Sequence, residues 1–184
     1  LGPERDGKKI EHSWLAVAGH NPAYDHFPAQ YQIWYAGKAR NSFWYNPVFK
    51  VNTLDGKSVW RRSDYRCKRA DTPGTFTFTF MDNGVTSKEY WRIVDAADDL
   101  SWALYYYAGA AKSAGQMYVG AVLATPDGLW PPTREMERVE KALWEGCGCK
   151  MWEMMEVDNR PDVIANAPLQ PLHDVVLKPS LILP

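Results

Sequence analysis

Residues 75–80 read Thr75-Phe76-Thr77-Phe78-Thr79-Phe80, a strict alternation of hydroxyl and aromatic side chains. Successive side chains of a strand point to opposite faces, so this period gives one aromatic face and one hydroxyl face. Turn residues bound the run, with Pro73-Gly74 before it and Asn83-Gly84 after it. Asn-Gly is a strong hairpin signal because both central residues of a type I′ turn need positive φ. Working outward, segments rich in aromatic and β-branched residues recur at 14–19, 31–36, 42–51, 57–66, 85–94, 99–107 and 116–124. Their joints carry Gly37, Asp55-Gly56, Asp98-Asp99 and Gly109. With 75–81 they make eight strands in meander order. Such a set closes into an up-and-down antiparallel barrel, which removes its own edges and can hold one small ligand. An open or sandwiched antiparallel sheet is the alternative.

The period changes after Pro131-Pro132. Met136, Val139, Ala142 and Leu143 fall at helical spacing, with Thr133 placed to cap the start and Gly146 to end the helix. Met151–Val157 reads as a further short strand. Residues 1–12 are a polar arm, 13–158 the barrel with its helix, and 159–184 an extended tail rich in proline. The tail carries two apolar runs, 175–177 and 181–183, which suit docking in an extended conformation.

Composition narrows the function. The chain has 184 residues, 21 Lys+Arg against 22 Asp+Glu and a net charge of −1. That balance excludes a nucleic-acid binder working by bulk charge. No apolar run approaches the roughly 20 residues of a membrane helix. Aromatic content is 14%, with 9 Trp and 10 Tyr, which suits a thick β core or a wall for a flat apolar ligand. The cysteines are Cys67, Cys147 and Cys149. They are too few for a disulfide scaffold, although Cys67 could bridge to either of the others. Cys147-Gly148-Cys149 has the wrong spacing for a zinc half-site, and no metal is expected.

The stretch Trp14 to Gln30, "WLAVAGHNPAYDHFPAQ", resembles the start of the lipocalin-fold domain of the violaxanthin de-epoxidase family. That family carries an aromatic strand, a Gly-x-Asn-Pro turn, an aromatic-Asp pair and a Gln a few residues on. "NTLDG" at 52–56, "TPGTF" at 72–76, "YYYAG" at 105–109 and "YVGAV" at 118–122 continue the likeness in order. The resemblance implies an eight-stranded lipocalin-like barrel in the chloroplast, in the thylakoid lumen or at its membrane surface. It also implies a carotenoid ligand of the xanthophyll class, with ascorbate as reductant if the protein is an enzyme. Reductive opening of an epoxide needs a proton on the epoxide oxygen. A carboxylic acid in an apolar pocket, its pKa raised by burial, is the natural donor.

By that resemblance Asp25 and Glu89 are the candidate catalytic acids. Gln30, Gln32, Trp60, Trp91, Tyr106 and Tyr118 are the candidate ligand-binding residues. Departures from the family pattern are as informative. Ala29 stands where a half-cystine is expected, Gln32 where a histidine is, and Ala124 where a tyrosine is. The residues also have plainer readings. Asp25 can bond its own turn, and Glu89, beside Lys88 and Arg92, can form a solvated salt bridge. His20 and His26 flank the turn as surface polar groups, and Arg61-Arg62 and Lys68-Arg69 read as solvated strand edges. A retained barrel with a damaged site points to a non-catalytic xanthophyll-binding or tethering subunit of a photosystem or antenna complex, attached through 160–184. An active de-epoxidase and a plain carrier of an apolar ligand are the alternatives.

Overall fold

The computed structural model of the chain describes residues 4–5, 8–9, 13–21, 28–36, 39, 41–82, 85–111 and 115–169. A small separate ladder joins β1 (Glu4–Arg5) to β2 (Lys8–Lys9). The main sheet begins with β3 (Ser13–His20), β4 (Gln30–Ala36) and β5 (Ser42–Asn52). It continues through β6 (Ser58–Arg62), β7 (Tyr65–Arg69), β8 (Thr75–Asp82) and β9 (Val85–Ala96). It ends with β10 (Ala103–Ala111) and β11 (Gln116–Thr125). All pairings are antiparallel, and β11 returns to pair with β3, which closes the barrel. Strands β6 and β7 both pair with β5 and form one barrel strand interrupted at Ser63-Asp64, so the barrel has eight strands. At the interruption Asn46 Nδ2 donates to Asp64 Oδ1 at 2.5 Å.

Alternation sorts the apolar residues into three groups. One face fills the lumen: Ala16, Tyr45, Cys67, Phe76, Phe78, Trp91, Tyr105, Tyr107 and Val122, with Trp34 against them. The opposite face of β10 and β11, with Leu104, Ala121 and Leu123, packs under α1 (Thr133–Cys147) through Val139 and Leu143. The outer face of β3, β4 and β5, with Leu15, Tyr31, Ile33 and Val48, is covered by residues after Arg160.

The helix is amphipathic, and its apolar stripe explains why it lies on the sheet. Arg138 pins it to β9, with Nε to Asp95 Oδ2 and Nη2 to Asp95 Oδ1 both at 2.8 Å. Its N-cap is Pro132, with no side-chain capping bond, rather than Thr133. It ends at Gly148 rather than Gly146, because Gly148 takes φ 67° and returns its N–H to Trp144 O at 3.0 Å. The expected strand 99–107 is displaced to 103–111. Residues 97–101 form a tight turn instead, in which Leu100 takes φ 58° and Asp99 Oδ1 accepts from Ser101 N. The strand expected after the helix is short, β12 (Met155–Glu156), paired with β3.

The first part of the expected extended tail, residues 160–169, lies on the barrel itself. It forms a strap. A single turn, α2 (Pro161–Ile164), is followed by Ala167 and Leu169, and Val163, Ala167 and Leu169 are all buried on the barrel's outer face. Lys50 Nζ donates to Val163 O at 2.9 Å and Arg62 Nη1 to Pro168 O at 3.0 Å. Arg62 is therefore not a solvated strand edge. The apolar spacing of this segment has no regular period, since the barrel surface rather than a helix or ladder decides which side chains it buries. Residues 175–183 lie outside the described residues.

Candidate functional site

Strands β4, β5, β7, β8, β9 and β10 each present aromatic rings into the lumen. Trp34 on β4 stacks on Tyr45 of β5 with ring centroids 4.2 Å apart. Trp91 on β9 is only 4% exposed and stacks on Tyr107 of β10 at 5.0 Å. It also meets Trp34, Phe76 and Tyr105 at 6.2, 6.0 and 6.0 Å. Tyr65 and Phe78 stack at 5.0 Å further along. Offset and edge-on arrangements of this kind hold rings in fixed positions.

Two glycines are needed where tyrosines cross the sheet. Gly109 lies opposite Tyr118 and Gly120 opposite Tyr107. An added Cβ would sit 2.1 Å from Tyr118 Cζ and 2.2 Å from Tyr107 Cζ respectively. Each ring therefore lies flat over a backbone that carries no side chain.

Glu89 points into this aromatic interior rather than toward Lys88 and Arg92, which corrects the plain salt-bridge reading. The physical reason is the register. Glu89 pairs with Phe78 and Gly109, both on the lumen face. Trp91 Nε1 donates to Glu89 Oε2 at 2.6 Å, and the Tyr118 hydroxyl donates to Glu89 Oε1. Burial raises the Glu89 pKa above the usual carboxylate range, and the two donors pull it partly back. The same burial raises the Tyr118 hydroxyl, and the hydrogen bond to Glu89 adds to that. Cys67 shares the lumen, its thiol raised first by burial and then by the nearby Glu89.

Of the other candidates, Gln32 is buried in the lumen, where its Oε1 accepts from the Tyr45 hydroxyl. Gln30 opens β4 opposite Phe49 and is half-buried. Trp60 and Tyr106 are not in the lumen. Trp60 packs outside against Tyr31, with Lys50 Nζ over its ring at 5.6 Å. Tyr106 faces outward under the Arg92 guanidinium at 5.5 Å, because strand neighbours alternate. Asp25 and His26 lie outside the described residues. All three cysteines are free, and Cys67 sits in the lumen while Cys147 and Cys149 join the cluster under α1, so no bridge links them. Ala29 and Ala124 are fully buried.

At one end of the barrel is a mainly apolar cavity of about 620 Å³, walled by Trp34, Phe43, Phe76 and Tyr105 and rimmed by the 69–75 turn and Ile93. Sequence reasoning missed Trp34, Phe43, Phe76 and Tyr105 as cavity walls. Their shared parity on paired strands was the available signal. Among the described residues the buried Trp34 Nε1–H has no acceptor. The cavity therefore offers aromatic faces. Trp91 stands between this cavity and Glu89, since it touches three of the wall rings and bonds the carboxyl.

A sequence model of a protein family, the VDE lipocalin domain, matches residues 3–159. Comparison with curated proteins gives no match. Among solved structures the chain is similar to insecticyanin from the tobacco hornworm Manduca sexta, at 11% identity and a TM-score of 0.61, covering 82% of this chain and 79% of that one. It is similar to the siderocalin Ex-FABP, described as having dual ligand specificities, at 12% identity and a TM-score of 0.55, covering 79% and 91%. A bovine odorant binding protein variant gives 17% identity and a TM-score of 0.51, covering 78% and 89%. At such identities these structures show the lipocalin fold alone.

Proposed function

Because the chain belongs to the VDE lipocalin domain family, we propose that it binds an oxygenated carotenoid of the xanthophyll class without turning it over. The observation that carries this reading is the end cavity with its aromatic walls. Such walls suit a flat apolar end ring. The ligand's remaining length extends out of the barrel, because Trp34, Trp91 and Tyr105 fill the lumen behind its end ring. Glu89 lies behind Trp91 and is not reached, which argues against turnover.

The test is Trp fluorescence quenching by violaxanthin, zeaxanthin and β-carotene in detergent. Phe43→Ala, which opens the cavity wall, should weaken quenching by the xanthophylls. Quenching unchanged in this variant, or no quenching at all, overturns the reading.

A specific observation favours a second reading. Glu89 is a buried acid with a raised pKa, held by Trp91 and Tyr118, and that is the kind of group that protonates an epoxide oxygen. In that reading the protein is an ascorbate-dependent de-epoxidase. Turnover of violaxanthin by the full chain at acidic pH, abolished by Glu89→Gln, would establish it in place of the first. The family also suggests the thylakoid lumen of the chloroplast and a photosystem or antenna partner. With 160–169 strapped to the barrel, a tether of this kind begins after Leu169. Co-purification of full-length chain and a chain ending at Leu169 with thylakoid complexes tests it; equal recovery removes the tether.

A further inference from the structure

Four sulfur-bearing side chains meet where α1 ends. Cys147 and Cys149 flank Gly148, whose φ of 67° folds the chain back after the helix. Met151 and Met154 follow within the next turn, and all four belong to one cluster against the outer face of the barrel. Cys149 is 3% exposed, and its Sγ lies 4.0 Å from Met154 Sδ. Cys147 is half-buried in the same cluster. None of these side chains contributes to the lumen.

The distance has a chemical meaning. Three sulfurs placed trigonally around one metal, with bonds of about 2.3 Å, lie about 4 Å apart along each edge. The observed Cys149–Met154 contact, a thiol donating to a thioether, matches one of the three edges in length. The ligand set is soft, with two thiols and a thioether, and α1 and the loop after it contain no histidine. The nearby carboxylate of Glu153 is engaged by Lys150 N at 2.7 Å. Zinc prefers four thiolate, imidazole or carboxylate ligands, whereas thiolate with thioether selects Cu(I). Apolar neighbours Val94, Ala142 and Leu143 disfavour a hydrated cation further.

We propose that Cys147, Cys149 and Met154 form a binding site for a soft monovalent metal ion, Cu(I), with Met151 beside it. Binding converts both thiols to thiolates, releases two protons to solvent and leaves the thioether neutral. The ion arrives as Cu(I), so no electron is transferred. The half-buried Cys147 and Met154 give the ion its way in.

The experiment is an anaerobic titration of the full chain with Cu(I) supplied as its acetonitrile complex, in competition with the chromogenic chelator bicinchoninate. One Cu(I) should be withdrawn from the chelator per chain. Cys147→Ser and Cys149→Ser should each abolish this, and Met154→Leu, which preserves side-chain volume, should weaken it by about tenfold or more. X-ray absorption on the unaltered protein should find sulfur alone around copper. Failure to withdraw Cu(I), retention in the Cys147→Ser/Cys149→Ser double variant, oxygen or nitrogen in the metal shell, or equally tight Zn(II) binding would each overturn the proposal.

Discussion

Truncation of Trp91 to alanine tests the view that one indole organises the lumen. Trp91 is 4% exposed and meets the rings of Trp34, Tyr45, Phe76, Phe78, Tyr105 and Tyr107. A buried Trp→Ala change costs about 3–5 kcal/mol through lost transfer energy and the cavity left behind. Six aromatic partners, each adding about 0.5–1.5 kcal/mol beyond area, place this site at the upper end. At about 2–4 °C per kcal/mol for a chain of this size, the melting temperature should fall by about 10–20 °C. Trp91→Phe is the companion variant. It keeps one ring of the stack, removes the N–H bonded to Glu89 and leaves a smaller cavity, so it should cost less than the alanine change, about 2–3 kcal/mol. Differential scanning calorimetry at neutral pH, with urea midpoints as a second measure, reads both. If Trp91→Ala melts within about 1 kcal/mol of wild type, the lumen is not held by this ring, and the argument that Trp91 walls Glu89 off from the end cavity fails with it.

Three further outcomes are expected. Glu89 has a pKa raised by burial, so the folded state holds a proton that the unfolded chain has already released; stability should fall as pH rises from the ordinary carboxyl range through the raised value, and Glu89→Gln should flatten that slope in urea midpoints measured against pH. Gly109→Ala drives a Cβ into the Tyr118 ring, so it should destabilise by about 1–3 kcal/mol and release Tyr118 from Glu89, seen as a shift of the Glu89 titration by NMR; a fully stable variant with an unchanged titration would contradict the packing. A chain ending at Leu169 should melt like the full chain, whereas one ending at Asn159 uncovers Leu15, Tyr31, Ile33 and Val48 and should melt lower; identical melting of the two would show that the strap is dispensable.

The architecture was legible in the residues because its signals are local. Alternation at 75–80, the Asp55-Gly56 turn and the change of period after Pro132 are consequences of strand pleat, turn geometry and helix pitch, all set by neighbours in sequence. Where a local rule had two solutions, the fold chose. Leu100 and Gly148 took positive φ and moved two element ends away from their expected places. Glu89 sits between Lys88 and Tyr90, and a one-residue difference of register would turn it to solvent; only pairing with Phe78 and Gly109 puts it inside the barrel. Trp60 and Tyr106 are aromatic like Trp91; alternation sets Tyr106 opposite to Tyr105 and Tyr107, and closure of the sheet decides which of the two faces is the lumen. The strap after Arg160 has no period to read, because its burial is dictated by a surface assembled from β3, β4 and β5. Sequence fixes which faces are apolar; tertiary structure decides which of those faces meet, since burial is a property of contacts between residues far apart in the chain.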